Sequence, residues 1–291
     1  MFARLADFLR PILPKSWVSN RAIVPVVNLS GVIGISTPLR PGLMLSGVAP
    51  LLDKAFGTKG AKAVALVINS PGGSAVQSHL IFNRVRQLSA EKKLTVFAFV
   101  EDVAASGGYM IACAADEIIA DASSIVGSIG VVGASFGFVE AMKKLGIERR
   151  VYTAGENKVT LDPFQPEKAE DVDTLKALQA EIHSNFIGLV RESRGVRLTG
   201  PEKTLFSGEY WLAGPALEYG LIDRIGDIRS VLREKFGDKV QLPVIAPGRR
   251  FLSRLVPGMK LAGIAGGAEI GLADEIVSTM EARAIWARFG F

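Results

Sequence analysis

The 291-residue sequence has one cysteine, two histidines and few charged residues, and each scarcity excludes a class of protein. Cys113 cannot form an intramolecular disulfide, and one cysteine with two histidines leaves few ligands for a structural zinc site. We therefore expect no metal and no cofactor. Charged residues make up 22% of the chain and apolar residues 48%, which indicates a large buried core and argues against a disordered chain.

Long apolar segments are also missing. Over residues 1–20, apolar side chains recur at helical spacing until Pro11 and Pro14 interrupt the pattern. A bilayer span needs about 20 apolar residues, so we interpret this amphipathic segment as neither an anchor nor a secretory signal. It either docks on the chain's own core or attaches to a membrane surface. We expect a cytoplasmic protein that could bind peripherally to the inner face of the membrane.

The net charge of +5 does not indicate a nucleic-acid partner. The basic residues are scattered and lack the interleaved aromatic residues that stack on bases. A mildly basic surface that faces anionic lipid is the better interpretation.

From residue 23 onward, short β-branched apolar runs alternate with helical stretches and predict an α/β core. The predicted strands are IVPVVNLSGVIG, AVALVINSP, LTVFAFVED, EIIAD and GSIGVVG. Helices are predicted at residues 75–90, 107–115, 167–193 and 273–289.

We divide the chain into three parts. Residues 1–20 form the amphipathic segment, and residues 21–245 form a single catalytic domain. Residues 246–291 form a C-terminal extension that mixes basic and apolar residues, which suggests assembly or membrane contact.

Ser106 stands in Ala-Ala-Ser-Gly-Gly, between a predicted strand and a predicted helix. Such a turn projects the hydroxyl, and the N–H of Gly107 points the same way, as in the nucleophile elbow of serine hydrolases. A second turn ends in Gly73, where the absence of a Cβ lets backbone N–H groups approach a ligand. Together the turns predict a nucleophile and an oxyanion hole. The alternatives are a helix cap at Ser106 and a plain turn at Gly73.

A serine nucleophile needs a base. His79 and His183 both fall inside predicted helices, where we expect structural or exposed side chains. Lys158, in TAGENKVTLDPF, is the better candidate. Lysine side chains ordinarily have a pKa of about 10.4, so a lysine acts as a base at neutral pH only where burial lowers that value. The alternative for Lys158 is an ordinary surface lysine.

The sequence resembles the signal peptide peptidase A and SohB family of Ser-Lys peptidases in four segments that occur in the family's order: NSPGGSAVQS, ASGGYMIACAADEIIADASSIVGSIGVVG, TAGENKVTLDPFQP and FSGEYWLAGPALEYGLIDRIGD. The resemblance covers most of residues 23–235. It implies Ser106 as the nucleophile and Lys158 as the general base. It also implies Ser128 as the residue that holds the lysine by a hydrogen bond, and Gly73 and Gly107 as oxyanion donors.

The resemblance also implies a fold and an assembly. The fold is that of the Clp protease and crotonase superfamily, a spiral of β-β-α units, and its members assemble into rings. In the signal peptide peptidases the serine and lysine meet across a subunit or repeat boundary. Longer members of the family contain two tandem halves, whereas this chain has one. The lysine would therefore come from a neighbouring protomer of a homo-oligomer.

We therefore expect a serine endopeptidase that hydrolyses extended apolar peptides or membrane-protein fragments through an acyl-enzyme. Two other functions stay open. An acyl-CoA hydratase or isomerase of the crotonase type also uses paired N–H groups, but it needs a carboxylate as acid and base. A ring-forming scaffold would bind peptides or membrane proteins without cutting them.

Overall fold

The computed structural model describes residues 21–35, 42–155, 157–246 and 268–290, with side chains of the last range from residue 278 onward. The amphipathic segment predicted at residues 1–20 lies outside these described residues. Strands within them are β1 Val26–Ser30, β2 Ala63–Ser70, β3 Thr95–Ala105, β4 Glu117–Ala120, β5 Ile125–Gly127, β6 Tyr210–Leu212 and β7 Arg224–Ile225. Helices are α1 Leu45–Phe56, α2 Ala75–Lys92, α3 Gly107–Ala112, α4 Val139–Leu145, α5 Ala169–Arg194, α6 Glu202–Leu205, α7 Ala213–Glu218, α8 Ile228–Phe236 and α9 Ala268–Ala287, with a 3₁₀ turn at Gly195–Arg197.

The strands form one mainly parallel sheet. Its main order is β1-β2-β3-β4-β7, and each neighbouring pair in that order is parallel. Besides β2, the long strand β3 pairs with two further strands. Its residues 97–100 pair with β4, and its residues 103–105 pair with β5. β6 joins β5 as an antiparallel strand. The sheet therefore divides at β3, and the C-terminal ends of β3 and β5 lie side by side.

Apolar side chains on both faces of the sheet hold the helices against it. On β2, Leu66 and Ile68 belong to one buried cluster, whereas Ala65 and Val67 belong to another. This follows from the alternation of side chains along a strand. The larger cluster contains buried residues of α1, α2, α3 and α5, and the smaller one contains those of α8. Near-continuous burial of this kind is typical of a parallel sheet covered on both faces.

The predicted α/β class is confirmed, but one predicted strand is wrong. GSIGVVG, residues 127–133, is irregular after Gly127. The strand ends there because Ser128 takes a φ of +53° and donates its N–H to the Glu209 carbonyl at 2.6 Å. The Gly130 N–H then donates to the Ser128 carbonyl at 3.0 Å, which turns the chain away from the ladder.

The C-terminal extension returns to the sheet. A last helix was predicted, and α9 confirms it with an earlier start, at Ala268. Phe289, just after α9, is buried against Val103 and Ala105 of β3. The predicted role of the extension in assembly or membrane contact stays a prediction. Across the described ranges, the helices lack the combination of length and apolar composition that crossing a membrane requires.

A buried ion pair fixes the C-terminal end of α5 to the core. The Arg194 side chain is almost fully buried and donates two hydrogen bonds to the Asp223 carboxylate, at 2.8 and 2.9 Å. Asp223 Oδ2 also accepts from the Ile118 N–H at 2.7 Å, which ties the pair to β4. Burial by itself raises the pKa of Asp223, but the hydrogen bonds from Arg194 and Ile118 outweigh it, so the net pKa lies below the usual range.

Arg194→Met should destabilise the protein by about 1.5 to 3 kcal/mol, because the Asp223 carboxylate loses its two hydrogen bonds from Arg194 and, of its ion pairs, keeps only the longer contact with Arg197, at 3.3 Å. The lowered pKa of Asp223 also makes the free energy of unfolding depend on pH. The pair stabilises the folded state above the unfolded pKa of an aspartate, about 3.9, and this stabilisation is lost as the pH falls through the lower folded value. Urea unfolding of wild type and variant between pH 7 and pH 3 measures both effects.

The control is Arg224→Met, which removes a more exposed pair with Glu234 at 2.5 Å. Solvent screens that pair, so its loss should change the urea midpoint little. Equal midpoints for the Arg194 and Arg224 variants would contradict the importance of the buried pair.

Candidate active site

Ser106 lies at a strained turn between β3 and α3. Its φ of +52° and ψ of −120° are rare for a residue with a side chain. The Ser106 N–H donates to the Gly127 carbonyl of β5 at 2.8 Å. The Ser106 side chain makes no capping hydrogen bond to α3, so the helix-cap alternative does not describe its hydroxyl. The turn leaves Ser106 partly exposed at the C-terminal end of β3.

Two backbone amides beside Ser106 have no acceptor among the described residues. Gly107 is the first residue of α3, where an N–H has no partner within the helix. Gly73 has a φ of +139°, and it is the next N–H, that of Ser74, which donates to the Ile33 carbonyl at 2.9 Å. Gly73 and Gly107 line the same cavity as Ser106. Their amides are therefore available to an acceptor that enters this cavity.

The residues around Ser106 are small because the backbones pack closely there. A Cβ on Gly107 would lie 2.3 Å from Ser78 Oγ of α2. A Cβ on Gly72 would lie 2.8 Å from the Cβ of Ser106. The glycines thus let α3 pack directly on α2 and on the Pro-Gly-Gly turn, in addition to leaving room for a substrate.

Ser128 repeats the geometry of Ser106 on the neighbouring strand. β3 and β5 run parallel with Ala105 opposite Gly127, so each serine directly follows the last paired residue of its strand. Their φ values are +52° and +53°. Ser128 is buried, whereas Ser106 is partly exposed. The register of one strand pair therefore brings two of the predicted site residues side by side.

Lys158 does not lie beside Ser106 within one chain. It is exposed in the segment before α5, where its backbone N–H donates to the Gly155 carbonyl at 3.3 Å. It is not among the described residues that line the cavity around Ser106. The pairing of Lys158 with Ser106 and Ser128 stays a prediction.

Ser106 opens into a mainly apolar cavity of about 400 Å³. Its wall includes Ile33, Ile35, Met110, Val131, Val132, Ile182, Phe186 and Ile285. The cavity adjoins a groove of about 1050 Å³ along α2 and α5, and the two share Ala75, Met110, Ile182 and Phe186. Concave apolar surface beside a few placed polar groups is typical of a ligand site.

The end of the C-terminal extension also borders this cavity, and sequence reasoning missed it. Ile285 of α9 and Arg288 just after it form part of the wall. Tyr210 Oη donates to the Arg288 carbonyl at 3.2 Å, which holds this end of the chain beside β6. No motif relates these residues to Ser106, since the contact depends on how the chain end packs.

Other side chains near the site have structural partners. Asp116 pairs with Arg86 at 2.9 Å, and Glu117 pairs with Lys235 at 2.7 Å. Cys113 is buried, and burial raises its pKa to about 12, so it stays a thiol in the core. These carboxylates and this thiol are therefore poor candidates for a catalytic role.

The two histidines lie outside the cavity that holds Ser106. His183 is partly buried, and its Nε2 lies 3.0 Å from the Ile129 carbonyl, next to Ser128. His79 is exposed and stacks on Phe82, with ring centroids 6.3 Å apart. Both positions agree with the structural or exposed roles expected from the sequence.

Comparisons with known proteins give one family and several relatives. The model of Peptidase family S49 matches residues 87–240, a range that includes Ser106, Ser128 and Lys158. The Na⁺/H⁺ antiporter NhaA of Brucella abortus (strain 2308) is 55% identical over 290 residues, which are 98% of this chain and 39% of the antiporter. This chain therefore spans about two fifths of that relative's length.

Shorter relatives match over more of their own length. The putative protease slr0021 of Synechocystis sp. (strain PCC 6803) is 31% identical over 226 residues, covering 75% of this chain and 80% of that protein. Among solved structures, a mutant 1510-N membrane-bound stomatin-specific protease in complex with a substrate peptide has a TM-score of 0.47 and 18% identity. That match covers 79% of this chain and 94% of the protease chain.

Gly107→Ala should destabilise the protein by about 1 to 3 kcal/mol, the usual range for overpacking. The new Cβ would meet Ser78 Oγ at 2.3 Å. In a Ser78→Ala background the closest remaining neighbours lie at 3.2 and 3.3 Å, so the same change should destabilise less. Thermal unfolding of the four proteins in this double-mutant cycle measures the coupling between the two sites.

The control for this cycle is Gly47→Ala, an exposed position in α1 where a Cβ would have no neighbour within 4 Å. It should be neutral or stabilising by up to about 1 kcal/mol, because alanine favours helix over glycine. Strictly additive effects of the Gly107 and Ser78 substitutions would show that the close contact does not limit residue 107.

Proposed function

Because the chain belongs to peptidase family S49, we propose that it is a serine endopeptidase with Ser106 as nucleophile and Lys158 as general base. The observation that carries this proposal is the turn at Ser106. A strained φ of +52°, a hydroxyl not used to cap α3 and an unpaired Gly107 N–H together are typical of a nucleophile elbow.

In the proposed reaction, the neutral Lys158 amine takes the proton of the Ser106 hydroxyl, and the oxygen attacks the carbonyl carbon of a peptide bond. The N–H groups of Gly73 and Gly107 hold the negative charge that develops on the carbonyl oxygen. Loss of one such donor typically costs about 3 to 4 kcal/mol of transition-state stabilisation. The amine of the leaving peptide receives the proton, and water then hydrolyses the acyl-enzyme in the same manner. Ser128 accepts or donates a hydrogen bond that orients the lysine.

Lys158 reaches Ser106 in this proposal from a second copy of the chain. It belongs to an arm, defined here as residues 131–155 and 157–168, in which nearly every residue is exposed or partly exposed. The arm is locally ordered, since the rings of Phe138 and Phe164 stack at 5.4 Å and the Arg149 guanidinium lies 4.9 Å from the Phe164 ring. Local order without burial in the chain's own core supports docking on a neighbour.

The apolar side chains of the arm support the same conclusion. The exposed large apolar side chains of the arm are Val132, Phe136, Phe138, Leu145, Ile147, Val151, Tyr152 and Phe164. Soluble monomers rarely expose so many apolar side chains along one segment, and such segments usually mark interfaces. We therefore include a homo-oligomeric ring in the proposal, with the arm of one copy at the cavity of the next.

The apolar cavity supports extended apolar polypeptides as substrates. Signal peptides and membrane-protein fragments are polypeptides of this kind. The net charge of +5 supports a position at the inner face of the membrane, where the lipid is anionic.

The cavity favours this function over the crotonase alternative. A hydratase or isomerase needs a carboxylate at the reacting carbon, but no Asp or Glu is found among the described residues of the cavity wall. The crotonase alternative also gives no role to Ser106, which is strained and whose hydroxyl does not cap α3. The scaffold alternative likewise leaves the strain at Ser106 without a purpose.

Ser106→Ala and Lys158→Ala should each lower the cleavage rate of an unfolded, apolar-rich fluorogenic peptide by at least about 10³-fold, as removal of catalytic groups does in serine proteases. When the two variants are co-expressed, part of the activity should return. Mixed rings then contain sites with an intact serine from one copy and an intact lysine from another. The measurement is kcat/KM of the purified mixed rings.

Lys144→Ala is the matched control, because Lys144 is another exposed lysine of the same arm. It should retain full activity. Full activity of both single variants would refute the dyad, whereas loss of activity in both without recovery in mixed rings would refute sharing between copies.

Tyr152→Lys should weaken the assembly, since Tyr152 is a 90% exposed aromatic residue of the arm. Burying such a side chain contributes about 1.5 to 3 kcal/mol. The concentration at which the oligomer dissociates should therefore rise about 10-fold or more, and activity should fall with it. Light scattering over a dilution series measures the mass.

Val196→Lys is the control for this experiment, because Val196 is fully exposed in the 3₁₀ turn outside the arm. It should leave the mass unchanged. A Tyr152 variant that keeps the wild-type mass at every concentration would exclude this residue from the interface.

A further inference from the structure

We propose that Arg288 is a specificity-determining residue that binds a carboxylate of the peptide substrate. The inference deepens the proposed peptidase function by naming a feature of its substrates. Arg288 lies just after α9 and lines the cavity that contains Ser106. It belongs to the C-terminal extension, far along the chain from the residues that perform the chemistry.

Two contacts hold the backbone at Arg288 in place. The Arg288 carbonyl accepts from Tyr210 Oη at 3.2 Å. The next residue, Phe289, is 7% exposed and packs against Val103 and Ala105 of β3. The rings of Tyr210 and Phe289 meet edge to face, with centroids 5.1 Å apart. The strand that ends directly before Ser106 therefore also anchors the segment that carries Arg288.

Arg288 brings a positive charge to this cavity, and its guanidinium carbon lies 6.0 Å from the centroid of the Phe289 ring. Along the described part of the wall it is the single charged side chain, among apolar residues, glycines, serines, an alanine and a proline. None of the described carboxylates forms an ion pair with it. Other arginines do have acidic partners, both partly exposed ones such as Arg86 and the buried Arg194.

An unpaired guanidinium at an apolar cavity selects an anion. Its planar fork matches a carboxylate in two parallel hydrogen bonds, and because Arg288 is exposed, these hydrogen bonds rather than a low dielectric constant supply the selectivity. The carboxylate could belong to an Asp or Glu side chain or to the free C-terminus of the peptide. Both sources present the same chemistry, so a substrate is an apolar peptide with one carboxylate near the cleaved bond.

The experiment compares peptides that differ only in this carboxylate. The first arm uses apolar octapeptides in which one Glu or one Gln occupies each position in turn. The second arm uses the all-apolar octapeptide with a free or an amidated C-terminus. Binding is measured by fluorescence anisotropy on the Ser106→Ala protein, and cleavage is measured as kcat and KM on the protein with Ser106 intact.

At one position of the series, or at the C-terminus, the carboxylate peptide should bind about 10-fold or more tightly than its neutral partner, as expected for hydrogen bonds between charged groups. Arg288→Gln should abolish this difference, mainly through KM. Arg288→Lys should retain part of it, because it keeps the charge and loses the fork. The control is Arg283→Gln, an exposed arginine of α9 that does not line the cavity, which should retain the full difference.

Equal binding of carboxylate and neutral peptides throughout both arms would overturn the proposal, and so would an Arg288→Gln protein that keeps the preference. If Arg288 has only a structural role, Arg288→Gln will bind both peptides of each pair more weakly and will have a lower melting temperature. That result would also overturn the proposal. Failure of the peptidase function is a separate result. The protein would then bind the peptides with the predicted preference and cleave none of them.

Discussion

The pairing of β3 with β5 is the constraint on which the rest of the site depends. β3 leaves β4 after Val100 and continues beside β5, and this ladder ends in the hydrogen bond from the Ser106 N–H to the Gly127 carbonyl. That bond fixes the backbone of Ser106 in a conformation that a residue with a Cβ rarely adopts. Because β5 also ends there, the same ladder fixes Ser128, so one strand pair orients both serines.

Burial of α3 offsets the strain at Ser106. All six residues of this short helix are buried, and its Tyr109 hydroxyl donates to the Leu221 carbonyl at 2.7 Å. A strained residue costs about 1 to 3 kcal/mol, whereas burying even one large apolar side chain contributes about 1.5 to 3 kcal/mol. The glycines at the start of α3 make this burial possible, since a Cβ on Gly107 would collide with Ser78 of α2 and a Cβ on Gly108 would collide with Ser70 of β2. Small residues and a strained serine are therefore two parts of one packing solution.

Much of the fold and most residues of the candidate site could be proposed from local sequence. Apolar runs and helical periodicity located the main elements, and the glycines beside Ser106 indicated a strand-to-helix turn with free amides. The β-branched residues of GSIGVVG misled the strand prediction, because the contact of Ser128 with Glu209 overrides their local preference. The β3–β5 register and the approach of Arg288 could not be predicted, since both depend on contacts between distant parts of the chain. Ser128 was identified by family resemblance alone, whereas Lys158 was first selected as a loop lysine in preference to two histidines in predicted helices.

The exposed position of Lys158 has a consequence for the chain before it assembles. Under the proposed function, a newly made copy that is still alone carries a serine without a proton acceptor. Proteolysis would then begin only where the local abundance of the chain is high enough for copies to meet. Protection against stray cleavage would reside in mass action, and dilution alone would silence the enzyme without any inhibitor or removable segment.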